Sequence, residues 1–523
     1  MVTEAQKAAL EVAANIFGAD NLWLVGGWVR DARLGRASDD IDLAASGTVV
    51  EMLELSRRFS NACHERLPGW KVSYFPLDTE NGVARIVFSD PAEYFYLDIA
   101  ALSQNSLEAD LLRRDFTINA LALPLKNFLA SGTAEGVVDR VGGVADLEAR
   151  LIRPVREANI IDDPLRMLRG VRLRAQLRQD SGAEWEFAPD TLEMFKKHAT
   201  LINQSAGERV GVELNKTMLA GGVEASLRLL DSCGLLSQLI PELDEGKGNI
   251  QMSAHYYDVW NHNLVAVDRL EWLVFPGYNG DSIDQMALAA RPETIISFWP
   301  DMMTQLLAQG RERLLWLFWG TLLHDVGKPR ARMVDPEGQI HFYEHQGIGA
   351  EMARQILGRF HFSKQAIESV ATMVQHHLRL GQLGEHYDPK SGGGVTNRAI
   401  YKFLRDTDPV QIEMMPLSLA DHAAVVGPWI AHARQLRSWE RHLHLTDKMA
   451  HKLLGDEDEK MVGKPRLIDG NGLMAALNLK PGPQLGKILR EIEEAQAVGE
   501  ISTLDEALTL ARKFLEGLSN LTP

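Results

Sequence analysis

Cysteine is scarce in this sequence: the 523 residues contain two, Cys63 and Cys233. Two thiols so far apart along the chain cannot form a disulfide framework or a four-cysteine zinc site. Long apolar runs are also missing, since the longest, near residues 314–323, is about half of what a membrane-spanning helix needs. Glu4 and Glu11 stand where a basic, apolar leader would be expected. We therefore expect a cytoplasmic protein with no membrane partner.

Positive charge is in short supply over the whole chain, whose formal net charge is -16. Such a balance normally disfavours a nucleic-acid partner, because phosphate binding requires local cation density. The charge is unevenly distributed, however, since residues 150–178 contain eight arginines and three acidic residues. This segment is either a solvated helix face or a surface that contacts phosphate.

The remaining composition is that of a folded protein, with 45% hydrophobic and 24% charged residues. The length suggests three or four domains. Short apolar runs at residues 22–25, 85–88 and 94–100 alternate with helical stretches, whereas apolar spacings of three and four dominate after about residue 145. We predict a mixed α/β (α+β) head at residues 1–145, a helical neck and body at 146–250, a helical third domain at 251–440 and a helical tail at 441–523.

The first candidate site lies in residues 22–43. An apolar strand is followed by Gly26 and Gly27, a short helix with Arg30, and a second strand that carries Asp40 and Asp42. Glycines at a strand end let backbone N–H groups and a helix N-terminus approach a triphosphate, to which Arg30 would add charge.

Asp40 and Asp42 are two residues apart on a strand, so their carboxylates share one face and repel each other unless a cation lies between them. Oxygen ligands suit Mg²⁺, and two such ions would support in-line displacement at phosphorus. Asp98, in another strand-like run, is a candidate third carboxylate. An isolated Asp-x-Asp is more often a polar strand end, but the preceding glycine pair and arginine favour the catalytic interpretation.

These residues, together with four later segments, resemble the class II CCA-adding enzymes and bacterial poly(A) polymerases, which have a DNA polymerase β-like nucleotidyltransferase head. Residues 113–120 resemble the ribose- and triphosphate-binding segment, which implies that Arg113, Asp115 and Asn119 bind nucleotide. Residues 139–147 resemble the hinge, 162–169 the nucleotide-selecting motif and 207–214 the motif that supports it. The resemblance implies an enzyme that adds C and A, from CTP and ATP, to the 3′ end of tRNA.

Base selection is assigned by the resemblance to Asp163 and Arg166, with Arg169 assisting. Cytosine and adenine both present an amino donor beside a ring-nitrogen acceptor, which an acceptor from Asp163 and donors from Arg166 would match. Uracil and guanine would leave buried polar groups unpaired. The alternative role for Asp163, which precedes Pro164, is to cap the N-terminus of the following helix.

Other products stay open at this point. The flexible loop needed to switch from C to A is not evident between the strand carboxylates and Arg113, which leaves addition of CC alone or A alone. Poly(A) synthesis is the nearest alternative, although an acidic tail disfavours it. An alternative of another class is an RNA-binding protein whose only activity lies in its third domain.

A second candidate site is formed by His262, His324-Asp325 and Asp421, which occur in the order of an HD-domain metal site. His345, and either His376 or His377, could bind a second ion, and we assign His376 to it. The set resembles the HD phosphohydrolases, which implies a phosphatase or phosphodiesterase that uses Mg²⁺, Mn²⁺ or Ni²⁺, for example on 2′,3′-cyclic ends. No catalytic set is found in residues 441–523, which would support tRNA or cap the third domain.

Overall fold

The computed structural model describes residues 2–251, 255–278, 290–308, 311–425 and 432–519. The chain forms two compact units. The first contains residues 1–220 and 229–239, and the second contains residues 221–228 and 240–523.

The first unit is built on a seven-stranded sheet with the strand order β3-β4-β5-β2-β1-β6-β7. Its strands are β1 (Leu22–Val25), β2 (Asp40–Ala45), β3 (Lys71–Asp78), β4 (Val83–Ser89), β5 (Tyr94–Ala101), β6 (Leu121–Pro124) and β7 (Val138–Asp139). The β2–β5 pair is parallel, and every other neighbouring pair is antiparallel.

One face of this sheet is buried. The other, called here the open face, is covered around Val25, Ala44 and Ala122 by Leu107 and Leu111 and is more exposed along β3 and at the start of β5. Alternation in β4 and β5 places Ile86, Phe88, Leu97 and Ile99 in a core that also includes Phe59 of the Val49–Arg66 helix. The opposite face carries the polar residues of the same strands, because successive side chains of a strand point to opposite sides. The candidate carboxylates therefore lie on the open face.

Helices surround the sheet and continue beyond it in the first unit. They are Glu4–Phe17, Gly27–Arg33, Val49–Arg66, Leu107–Leu112, Leu125–Ser131, Gly143–Glu148, Glu157–Asp162, Leu165–Ser181, Thr191–His198, Gly207–Met218, Val223–Ser232 and Leu235–Leu239. The Val223–Ser232 helix is divided between the two units, because residues 223–228 belong to the second and residues 229–232 to the first. A short parallel pair joins β8 (Leu151–Ile152) and β9 (Glu186–Phe187). The Leu165–Ser181 and Gly207–Met218 helices pack together, and Arg172 of the first pairs with Glu213 of the second at 2.9 Å.

The second unit is almost entirely helical in the part that the structure describes. Its helices are Pro241–Asp244, Val259–Val274, Trp299–Leu307, Glu312–Leu323, Lys328–Ala331, His345–Arg359, Lys364–His376, Leu378–His386, Asn397–Asp406, Gln411–Val425, Ala433–Leu454, Gly470–Leu477, Pro483–Ala497 and Leu504–Ser519. A hairpin joins β10 (Arg332–Val334) to β11 (Ile340–Phe342). The Val259–Val274 helix lies at the centre, in contact with Glu312–Leu323 and Gln411–Val425.

The predicted fold class, a mixed α/β head followed by helical domains, is confirmed. The predicted domain boundaries stay predictions, and the Ala433–Leu454 helix runs without interruption through the one placed at residue 440. No helix among the described residues is both long and apolar enough to cross a membrane.

The tail contacts the rest of the second unit through charged residues. Arg398 and Lys402, one turn apart on the Asn397–Asp406 helix, lie 3.1 and 3.2 Å from the buried carboxylate of Glu494. Arg398 also donates to Glu500 at 3.0 Å. These contacts join the tail to the Asn397–Asp406 helix.

Candidate functional sites

The three predicted carboxylates of the head lie together on the open face of the sheet. In the parallel β2–β5 pair, Asp42 is directly opposite Asp98, and Asp40 is opposite Tyr96. Asp40, Asp42 and Asp98 each offer an oxygen atom within 4.8 Å of the others. Burial and the neighbouring charge of Asp40 raise the pKa of Asp42 to about 7. Such crowding is costly without a cation, so the donor set fits a divalent metal ion.

Asp98 is also held by an arginine that the sequence did not reveal. Arg85 of β4 lies directly opposite Asp98 in β5, and its Nε and Nη2 donate to the two carboxylate oxygens at 2.8 and 2.7 Å. The guanidinium lies 4.0 Å from the centre of the Tyr96 ring. This bidentate pair fixes the third carboxylate beside the other two.

Gly26 is required by close packing at the end of β1. Its φ of 70° is in the left-handed region, and a Cβ atom there would lie 2.9 Å from both Asp42 Oδ2 and Arg114 Nη1. Gly27, which begins the short helix, would tolerate a Cβ atom better, because its nearest neighbour would be Arg30 Nη2 at 3.5 Å. Arg114 thus lies beside the carboxylates, a role that the sequence analysis did not assign to it.

Four of the predicted nucleotide-binding residues are joined in one chain of contacts. Arg30 Nη1 donates to Asn119 Oδ1 at 2.7 Å, and Asn119 Nδ2 donates to Asp115 at 3.2 Å. The other oxygen of Asp115 lies 3.1 Å from Arg169 Nη2. Although burial opposes it, the Arg169 guanidinium holds the pKa of Asp115 below its ordinary value. These four residues are therefore rigidly placed relative to each other.

A cavity of about 490 Å³ opens at the carboxyl end of β5. Its lining includes four arginines, Arg113, Arg114, Arg166 and Arg169, and three acidic residues, Glu80, Asp110 and Asp115. Arg113 Nη1 donates to Ser103 Oγ at 2.7 Å. The cavity has the charge and size that a nucleoside triphosphate requires.

The selectivity residues are arranged differently from the expected Asp163–Arg166 pair. The carboxylate of Asp163 accepts from Arg209 Nη2 at 3.1 Å, whereas Arg166 Nη1 donates to the backbone carbonyls of Arg114 and Asn159 at 3.4 and 3.2 Å. The helix begins at Leu165, and no side chain caps its N-terminus. The capping explanation for Asp163 is therefore wrong, and Arg209 is a further residue of this site.

The first predicted HD cluster is assembled in the second unit. His262 Nε2 lies 3.1 Å from both His324 Nε2 and Asp421 Oδ1. Asp325 Oδ2 lies 3.4 Å from each of the two histidines and 2.6 Å from Lys328 Nζ. Two imidazoles and two carboxylates converging on one point can hold a divalent ion.

A second cluster shares Asp325. Its other oxygen, Oδ1, lies 3.5 Å from His345 Nε2 and 3.3 Å from His377 Nε2. All three atoms are buried without a hydrogen-bond partner, which fits the chemistry of metal ligands. The Nδ1–H groups of the two histidines donate to the carbonyls of Phe342 and Val374 at 2.7 Å. These bonds point both Nε2 atoms at Asp325.

The second ligand in this cluster is therefore His377, and the assignment of His376 is wrong. Adjacent residues in helical conformation point about 100° apart, and the Lys364–His376 helix ends at this point. His377 is buried, whereas His376 is half-buried and belongs to neither cluster.

Both clusters face a cavity of about 910 Å³. Asp325, Asp421 and His345 lie on its wall, and so do the cationic side chains of Arg434 and Arg441. A cavity that combines metal ligands with arginines suits an anionic, phosphate-bearing substrate.

Four stretches of the chain match models of known protein families. Residues 22–153 match the poly A polymerase head domain, and residues 185–247 match the RNA- and SrmB-binding site of polymerase A. Residues 300–423 match the HD domain, a range that leaves out His262. Residues 460–511 match domain 2 of tRNA nucleotidyltransferase.

Whole-length relatives are found among curated proteins. The chain is 32% identical over 493 residues to the CC-adding tRNA nucleotidyltransferase of Thermus thermophilus, covering 92% of this chain and 91% of the relative. It is 30% identical over 501 residues to the A-adding tRNA nucleotidyltransferase of Deinococcus radiodurans, covering 94% and 95%.

Among solved structures, the fold resembles that of the Thermotoga maritima CCA-adding enzyme complexed with tRNA, with a TM-score of 0.56 at 18% identity over 98% of this chain and 96% of that one. Since the two full-length relatives reach 30% identity over more than nine-tenths of their own lengths, this chain belongs to the tRNA nucleotidyltransferase family, the class II CCA-adding group that its motifs predict.

Proposed function

We propose that this enzyme adds C and A to the 3′ end of tRNA, using CTP and ATP. The observation that carries the proposal is the position of Asp40, Asp42 and Asp98 on the same unit as a cavity lined by four arginines. The carboxylates supply metal ligands, and the arginines supply the charge that a triphosphate needs. The proposed metal is Mg²⁺, which prefers oxygen ligands.

Each group has a role in this reaction. Asp40 and Asp42 are the residues that would hold Mg²⁺, which would supply the charge that activates the attacking 3′ hydroxyl and stabilises the leaving pyrophosphate. Arg113 and Arg114 bind the triphosphate, while Arg30 and Asn119 hold Asp115 and Arg169 in place beside it. The helix N-terminus at Gly27, with the glycine pair, lets the phosphates approach the backbone.

Selection of the base rests on Asp163 and the two arginines near it. The Asp163 carboxylate accepts a hydrogen bond from the amino group that cytosine and adenine share. Arg166 donates to the ring nitrogen of the base. It can do so because Nη1 alone contacts the backbone carbonyls and the other N–H groups are available. Arg209 fixes the position of Asp163. Uracil and guanine would leave these groups unpaired, at a cost of roughly 1–3 kcal/mol for each.

The experiment is to incubate the pure protein with tRNA that lacks CCA, CA or A, and with each nucleoside triphosphate singly. Products extended by CC and C with CTP, and by A with ATP, respectively, are expected, with no incorporation of U or G. Asp40→Asn should lower the rate at least a hundredfold, because the carboxylate pair that holds the metal is broken. Full-rate extension by Asp40→Asn would refute the proposed chemistry.

A second candidate product, CC alone, is favoured by one specific observation. The β3–β4 connection, residues 79–82, is a tight turn in which Asp78 Oδ1 accepts from the backbone of Glu80 and Asn81 at 3.0 Å. A Cβ atom on Gly82 would lie 3.1 Å from the backbone of Val49. A turn this short and this closely packed does not serve as the flexible loop that a switch from C to A requires. The absence of A addition to tRNA ending in CC would establish this candidate.

The proposed role of the HD domain is metal-dependent hydrolysis of a phosphoester, such as a 2′,3′-cyclic end, with Mg²⁺, Mn²⁺ or Ni²⁺. Two observations support this proposal. Asp325 belongs to both clusters, and its Oδ1 atom is buried without a hydrogen-bond partner, as are the Nε2 atoms of His345 and His377. The test is hydrolysis of 2′,3′-cyclic AMP with each metal by wild type, Asp325→Ala and His376→Ala. Wild type and His376→Ala should be active and Asp325→Ala inactive, whereas equal activity in all three would refute the proposal.

Three further assignments belong to this proposal. We propose cytoplasmic action, in keeping with two buried free thiols. The domain limits at 145, 250 and 440 are proposed on the apolar spacing. The tail would cap the HD domain through Glu494.

The intact carboxylate set of the head argues against the alternative function, an RNA-binding protein that has lost transferase activity.

A further inference from the structure

Aromatic residues continue the open face of the sheet beyond the three carboxylates. Along β5, Tyr94 and Tyr96 alternate with buried residues, so they share a face with Asp98. Tyr94 is 54% exposed, which is unusual for a residue so close to the core of a sheet. Tyr96 is directly opposite Asp40 in the parallel β2–β5 pair.

The neighbouring strands extend this surface. Phe75 of β3 is directly opposite Arg85 of β4, and Arg85 is opposite Asp98, which places all three on the open face. Phe75 is 49% exposed. Lys71, exposed at the other end of β3, is opposite Ser89, which in turn is opposite Tyr94. The open face thus combines two exposed rings with two cationic side chains.

The direction of β5 separates Tyr94 and Tyr96 from the triphosphate cavity, whereas Phe75 lies level with Asp98. Residues 100–102, after Asp98, line the cavity of the four arginines, whereas Tyr96 and Tyr94 precede Asp98. In an in-line displacement the attacking and leaving oxygens lie on opposite sides of the phosphorus. If the leaving pyrophosphate occupies the cavity side, the attacking 3′ hydroxyl approaches from the tyrosine side.

We propose that Phe75, Tyr94 and Tyr96 form a stacking surface for the unpaired nucleotides at the 3′ end of the acceptor RNA. The inference rests on the nucleotidyl transfer proposed above and identifies where its acceptor binds. Proteins recognise unpaired RNA by stacking its bases on aromatic side chains and by neutralising its backbone with cations. Lys71 supplies that charge, and Arg85 stacks on Tyr96 from the same face.

The place of Tyr96 opposite Asp40 gives Tyr96 a positioning role as well. A base stacked on Tyr96 would lie next to a carboxylate that holds the metal, so stacking would direct the terminal ribose toward the site of attack.

The test uses tRNA that lacks CCA and ends in a normal or an abasic nucleotide. Tyr94→Leu is expected to raise the KM for normal RNA on the order of tenfold, within the range for loss of one stacked base, and to leave the KM for CTP unchanged. Wild type should show a similar rise with abasic RNA, and Tyr94→Leu should show no further rise with it. Phe75→Leu should behave like Tyr94→Leu.

Fluorescence gives a second readout that does not depend on turnover. A 2-aminopurine at the 3′ end should be quenched on binding to wild type and not to Tyr94→Leu. Tyr343→Leu is the matched control, because Tyr343 is an exposed tyrosine, at 63%, in the other unit, and it should behave as wild type.

The outcomes separate the two proposals. Failure of wild type to extend normal tRNA would refute the proposed function itself. Extension by wild type with unchanged KM and unchanged quenching in both Tyr94→Leu and Phe75→Leu would refute the stacking surface alone. Thermal melts of each variant verify that the fold is intact.

Discussion

The guanidinium of Arg209 donates to the carboxylate of Asp163 at 3.1 Å, which connects the first turn of the Gly207–Met218 helix to the residue two positions before the Leu165–Ser181 helix. Both side chains are partly exposed, at 57% and 27%. A bond in this position fixes the direction of the Asp163 oxygens without burying them, so they stay accessible to an incoming base.

Arg209→Ala should therefore lower selectivity more than stability. We expect kcat/KM for CTP and ATP to fall on the order of tenfold, because Asp163 becomes free to rotate, while incorporation of U and G rises relative to C and A. The free energy of unfolding should change by less than about 1 kcal/mol, as is typical of exposed ion pairs. Single-nucleotide incorporation assays and urea unfolding measure the two effects.

Arg178→Ala is the control for this substitution, since Arg178 makes a comparable exposed pair with Glu184 at 2.7 Å on the Leu165–Ser181 helix. It should leave selectivity unchanged. If Arg209→Ala and Arg178→Ala kept the same discrimination against U and G as wild type, Arg209 would have no part in selection.

At the head site, the sequence predicted the carboxylates whose position follows from a local strand pattern. Asp40 and Asp42 are paired by the two-residue period of a strand, and Asp98 lies in a run of strand character. Arg85 was not predictable, because its contact with Asp98 depends on how β4 and β5 align. Arg209 was recognised as part of a motif, but its partner depends on the packing of two helices.

At the HD site, too, sequence order predicted the cluster but not every residue in it. The order of His262, His324, Asp325 and Asp421 predicted one cluster, because each ligand type and its place in the chain were informative. The choice between His376 and His377 depends on where the helix ends and on a rotation of about 100° between adjacent residues. No sequence pattern indicates which of the two adjacent histidines points toward Asp325.

Gly26→Ala should abolish transfer, because its Cβ atom would contact Asp42 and Arg114 at 2.9 Å. Gly35→Ala is the matched control, since Gly35 has a similar φ of 72° and nothing within 4 Å of the added atom. Gly35→Ala should lose about 1 kcal/mol of stability from its positive φ, and Gly26→Ala about 1–3 kcal/mol, because its φ of 70° is combined with a ψ of -140° that suits glycine alone. Equal kcat in the two variants would contradict the close approach at Gly26.

His377→Ala should remove one of two bound divalent ions from the HD domain, because it deletes a ligand that faces Asp325 at 3.3 Å. His376→Ala should retain both. Equilibrium dialysis with Mn²⁺, followed by metal analysis of the full-length protein, gives the stoichiometry. Identical metal content in the two variants would argue against His377 as a ligand.

Glu271 predicts a pH dependence of stability in the second unit. Its side chain is fully buried in the Val259–Val274 helix, and Oε2 accepts from the Val223 N–H at 2.8 Å. Burial raises its pKa from 4.5 to about 8. The folded protein therefore keeps a proton that the unfolded chain releases, so this stabilisation is complete below pH 4.5 and is lost as the pH rises toward 8.

Between pH 6 and 8, the free energy of unfolding of wild type should fall relative to that of Glu271→Gln by on the order of 2 kcal/mol, since one pKa unit corresponds to about 1.4 kcal/mol. Glutamine keeps an acceptor for Val223 and cannot titrate. Urea midpoints followed by circular dichroism measure the difference, with the exposed Glu312→Gln as a control that should track wild type. Parallel curves for wild type and Glu271→Gln would mean that Glu271 does not hold a proton in the folded state at neutral pH.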